Sequence, residues 1–61
     1  MTTMTVYDIK IINKDKTTTN DKSGPYYGSY INMEAAIKKC LEYEKDPNVF
    51  MARIESTNIM A

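Results

Sequence analysis

The chain has no histidine, no tryptophan and no glutamine, and only one cysteine, one leucine and one arginine in 61 residues. Each shortage removes a class of function. Without histidine the commonest general base is missing, and so is any Ser-His or Cys-His nucleophilic pair. With Cys40 alone, no internal disulfide can form and no familiar zinc set can be assembled. The longest apolar run is Val49-Phe50-Met51-Ala52, far short of the roughly 20 residues that span a bilayer as a helix. The stretch Met1-Thr2-Thr3-Met4-Thr5-Val6-Tyr7-Asp8 has neither a basic region nor a sustained apolar core, which predicts no signal peptide. No Asn-x-Ser/Thr sequon occurs, so the reduced cytoplasm is the expected location.

Charge of one sign is also lacking, since 8 basic residues face 8 acidic ones. Nucleic-acid binders usually carry a basic excess, because phosphate neutralisation dominates their affinity. Lys10, Lys14, Lys16 and Lys22 are the residues a weak nucleic-acid-binding accessory would use, but Asp15 and Asp21 are interleaved among them. Asp15 and Asp21 do not have the spacing of an EF-hand loop, and Gly24 and Gly28 do not bracket a phosphate loop. No catalytic residue, cofactor or metal is expected, and an enzyme is the least favoured class.

What is abundant is Lys, Ile, Asn, Met and Tyr, which supply 29 of the residues. These use A/T-rich codons, as expected of a bacteriophage or a low-GC bacterium. Thr5 to Ile12 alternates, with Tyr7, Ile9 and Ile11 on one face and Asp8 and Lys10 on the other, which predicts a half-buried strand. Residues 13–25 hold no large apolar side chain and read as a long polar loop, although Thr17 to Thr19 can instead prolong a ribbon. Tyr26 to Ile31 reads as the second strand. Asn32 is a suitable N-cap, and Met33, Ala36, Ile37, Cys40 and Leu41 form an apolar stripe on a helix running to about Glu44. Pro47 follows its end. Val49 to Ser56 reads as the third strand, with Phe50, Ala52 and Ile54 inward and Met51, Arg53 and Glu55 outward.

These elements predict one α+β domain over residues 1–61, with ends at 1–4 and 57–61 that fray. Its ββαβ order gives a three-stranded antiparallel sheet, 2-1-3, with one helix on one face. Charge favours a register in which Asp8 lies opposite Arg53 and Ile9 opposite Ala52. The alternative sets Asp8 against Glu55 and Lys10 against Arg53. A domain this small hides only about 60% of the surface its unfolded chain exposes, so association is an expected source of stability.

Two groups stand out as protein-binding candidates. Tyr26, Tyr27 and Tyr30 either fill the sheet or form an interface, where tyrosine is enriched. Asp8, Lys10, Met51 and Arg53 lie on the face the helix leaves bare, which is either a solvated surface or a docking surface. Cys40 is expected in the core.

The run Asn32, Met33, Glu34, Ala36 at a helix start, followed by a strand ending Ala52, Arg53, Ile54, resembles small phage-encoded host-takeover inhibitors. The likeness is to the short RNA-polymerase-inhibiting proteins of T7-type phages. It covers about a third of the chain. The chain departs from that family in having Arg53 alone where the family's strand is more basic, and in lacking tryptophan. The resemblance implies a sheet-borne Arg53 in protein–protein contact. The first expectation is a non-enzymatic, phage-encoded module that inhibits or redirects a larger host or anti-phage defence protein by occlusion, using the free sheet face, the Tyr26–Tyr30 strand and the 13–25 loop. The alternative is a self-associating, homodimeric structural domain. Neither a membrane nor nucleic acid is an expected partner.

Overall fold

The computed structural model describes residues 2–60. Four elements follow in the order β1 (Thr3–Asn13), β2 (Thr18–Asp21), α1 (Met33–Glu44) and β3 (Val49–Met60). The sheet is antiparallel with order β2-β1-β3, and α1 packs on one face of it, an α+β fold. No helix among the described residues is long and apolar enough to cross a membrane.

The core forms where the sequence alternates most cleanly. Ile9 and Ile11 of β1 meet Ala36 and Cys40 of α1, with Tyr30 and Val49 closing the cluster. Ile9 is completely buried. Burying a branched side chain of this kind is worth about 1.5–3 kcal/mol. The helix begins where Asn32 caps it, its side chain accepting from the Glu34 N–H at 2.8 Å. It ends at Glu44, where Lys45 supplies the C-cap. A helix of 12 residues is about 18 Å long, whereas the 12-residue β3 extends about 40 Å. The β1–β3 ladder therefore outruns the helix and sets the 42 × 19 × 14 Å shape.

The second strand and the register depart from expectation. The second strand is β2, Thr18–Asp21, and not Tyr26 to Ile31. The polar stretch 13–25 takes the ribbon alternative, with Thr18 and Thr19 paired to Ile12 and Ile11. It begins with a tight turn in which Asn13 N–H donates to Thr17 O, Lys16 N–H donates to Asn13 O, and Lys16 takes a positive φ of 73°. Three-residue hairpin loops commonly place such a left-handed residue last. Of the ends at 1–4 and 57–61, Met1 and Ala61 lie outside the described residues, and Thr3 pairs with Met60.

The register is the one that charge disfavoured. Ile9 lies opposite Ile54, Asp8 opposite Glu55 and Lys10 opposite Arg53. A like-charge cross-strand pair costs at most about 1 kcal/mol, and less where water reaches it. Setting Ile54 against the fully buried Ile9 outweighs that cost. The ladder is interrupted once, because Ile12 pairs with Met51 but Asn13 pairs with Val49. Phe50 is the extra residue of this bulge. Val49 takes the core position expected for Phe50, which is 68% exposed.

Candidate protein-binding site

Beyond β2 the chain leaves the sheet and returns. Asp21 pairs with Ile9 and Tyr30 with Tyr7, so two positions on β1 are matched by residues nine apart on the other side. The intervening residues fold back on themselves. Gly24 and Gly28 exchange backbone hydrogen bonds, as do Tyr26 and Ser29. Within the latter pair, Tyr27 has φ 51° and Gly28 has φ 93°. Positive φ at both central residues is the signature of a type I′ turn, which favours Asn-Gly. Here the first central residue is tyrosine.

Placing a side chain in the left-handed region costs about 1–2 kcal/mol. Tyr27 meets that cost while 93% exposed, so its ring gains little by burial. Its one aromatic contact is an edge-to-face packing on Tyr26, with centroids 4.9 Å apart. The base of the excursion, in contrast, is tightly held. The buried Asp21 carboxylate accepts from Ser23 N–H at 3.0 Å, Ser23 Oγ at 2.7 Å and Tyr30 Oη at 2.8 Å. Desolvation acts to raise its pKa, but these donors outweigh it and hold the carboxyl below its ordinary value. Burial likewise raises the Tyr30 and Tyr43 phenols. Ser29 Oγ donates to Asp8 and pins the other side of the excursion. A Cβ on Gly24 would lie 2.2 Å from Ser29 O, so this approach requires glycine.

The sequence-identified residues therefore separate. Tyr26 and Tyr27 form the tip. Tyr30 is only 8% exposed and belongs to the core, which corrects its place on a binding surface. Asp8, Lys10, Met51 and Arg53 share the face opposite α1, but Asp8 is engaged by Ser29, and Lys10 and Met51 are half-buried. Arg53 is exposed there, beside the exposed Glu55. The bulge adds Phe50, which lines a shallow groove with Ile12, Lys14 and Lys16. Cys40 is buried, and desolvation, then Glu44 and Asp21, raise its thiol pKa, the reverse of what a nucleophile requires. No cluster of three or more metal-ligating side chains occurs among the described residues.

Sequence reading missed one surface. Met33, Ile37 and Leu41, assigned inward, are all exposed; only Ala36 and Cys40 of the stripe are buried. The helix rests on β1 and β3, and the sheet ends at β3. It is too narrow to cover both flanks. The signal available in the sequence was the width of the stripe, wider than two small residues need.

No protein family, curated protein or solved structure matches the chain.

Proposed function

We propose that the chain is a small, non-enzymatic protein-binding module that acts by occluding part of a larger protein, with the Tyr27 tip at the head of the contact. The observation that carries this reading is Tyr27 itself, a non-glycine residue at φ 51° that is almost wholly exposed. Backbone strain maintained without burial points to a use outside the fold. An amphipathic ring on a short, anchored turn suits a pocket on a partner, where tyrosine is favoured. Phe50 adds apolar contact elsewhere on the surface. The assignment of the partner to a host or its anti-phage defence rests on the resemblance of residues 32–54 alone.

The test is Tyr27→Asn. Asparagine before Gly28 is the preferred pair for this turn, so the variant should be more stable by about 1 kcal/mol. That corresponds to roughly 4–8 °C in melting temperature for a domain of this size. Affinity capture from lysates of candidate host cells should retain a protein on the wild-type chain and lose it on the variant. Equal retention by the two chains would remove Tyr27 from the contact.

A further inference from the structure

We infer that the free edge of β3 pairs with the same edge of a second copy, about a two-fold axis at Ile54, to give a continuous six-stranded sheet. The inference does not depend on the Tyr27 contact, which lies at the opposite edge.

The hydrogen-bonding direction follows from the ladder. Tyr7 exchanges both backbone bonds with Tyr30, so its N–H and C=O point away from β3. In an antiparallel pair such directions alternate. Ser56, opposite Tyr7, and equally Ile54 and Ala52, therefore turn their backbone groups outward at the free edge. The Ala52 N–H bears this out: it donates to Glu44 Oε2 at 3.4 Å, outside the sheet ladder. No proline interrupts Val49–Met60, and the ladder with β1 is regular from Met51 to Met60. An edge of this length and regularity is a template for another strand.

Side chains on both faces match a second copy. With Ile54 opposite its own equivalent, Ala52 falls opposite Ser56, and Arg53 falls opposite Glu55. Within one chain these charges are badly placed, since Arg53 faces Lys10 and Glu55 faces Asp8. The ion pair found among the described residues is elsewhere, between Lys39 and Glu42. In the dimer, each row across the new seam reads Lys10 and Arg53, then Glu55 and Asp8 of the second copy. Opposite signs thus meet at the seam in both rows. The other face carries the helix. Glu44, which reaches the β3 edge, lies eleven residues after Met33 and seven after Ile37, close to three and two whole turns. Met33 and Ile37, with Leu41 beside them, consequently flank that same edge. The two-fold axis places both helices on one side of the joined sheet, where the exposed stripes face each other. This self-complementary arrangement is an isologous interface. Ala52 exchanges Glu44 for the backbone of Ser56 of the second copy as the strands pair.

Sedimentation equilibrium over a concentration series tests the register by charge exchange. The wild-type chain should show a monomer–dimer equilibrium. Arg53→Glu and Glu55→Arg should each weaken it by about tenfold, because each sets two like-charge pairs across the seam. The double exchange should restore it to near the wild-type value. The single variants relieve the Lys10 and Asp8 repulsions, so their dilute monomers should melt no lower than wild type, which separates a lost dimer from a lost fold. A wild-type chain monomeric at all concentrations, single exchanges without effect, or a double exchange as weak as the singles would overturn the proposal.

Discussion

The two edges of this sheet are finished in opposite ways. On one side, β2 contributes only four residues, the ladder resumes at Tyr30, and the chain between them is folded over and tied to Asp21 and Asp8. On the other side, among the described residues, the outer edge of the 12-residue β3 is met by Glu44 at Ala52 and by no further strand. The helix repeats the contrast. Its Tyr43 packs against the core, whereas Met33, Ile37 and Leu41 remain exposed. A small domain has apolar surface for one good core, and spending it on one flank leaves the other exposed.

The largest expected effect lies on the closed edge. Gly24→Ala drives a methyl group into the backbone at Ser29 and should cost on the order of 3 kcal/mol. Thermal unfolding checks it, and an unchanged melting temperature would mean that the excursion is held loosely.

Next comes Asp21→Asn, which replaces a charged acceptor of Ser23 and Tyr30 with a neutral one and should cost about 1–3 kcal/mol at neutral pH. It should also change the acid limb of stability. The Asp21 carboxyl is lowered from its ordinary value of 3.8, so it contributes stability that is present above that pH. That contribution is lost as the pH falls below 3.8 and through the lower folded value. Urea unfolding at a series of acidic pH values should show a shallower decline in the variant. Asp15, held low chiefly by the Thr17 hydroxyl, keeps its own contribution in both chains. Parallel curves for the two chains would show that Asp21 does not anchor the closed edge.

The elements set by local signals were legible in the sequence. Asn32 and Pro47 bracket α1, and alternation marks β1 and most of β3. The order 2-1-3 followed from the handedness of the crossover. β2 was legible only as the alternative in which Thr17 to Thr19 prolong a ribbon, because Thr-Thr-Asn-Asp carries no apolar alternation and is held by its hairpin pairing with β1. Tyr26 to Ile31 resembled a strand through its aromatics, yet Gly28 beside Tyr27 made a turn of it. Register was misjudged because exposed charges were weighed above the burial of Ile54 against Ile9. The same like-charge pairs are informative once the free edge is known, since they are the groups left to be matched by another chain. The exposure of Met33, Ile37 and Leu41 depends on where the sheet stops, which no local pattern encodes.

Amide hydrogen exchange, read residue by residue in dilute and concentrated protein, tests the contrast between the edges most directly. The Tyr7 and Tyr30 amides, bonded to each other's carbonyls, should be protected at both concentrations. The Ile54 and Ser56 amides should exchange rapidly in dilute protein and become protected as the chains pair. Ile54 and Ser56 amides that exchange at the same rate at both concentrations would contradict it.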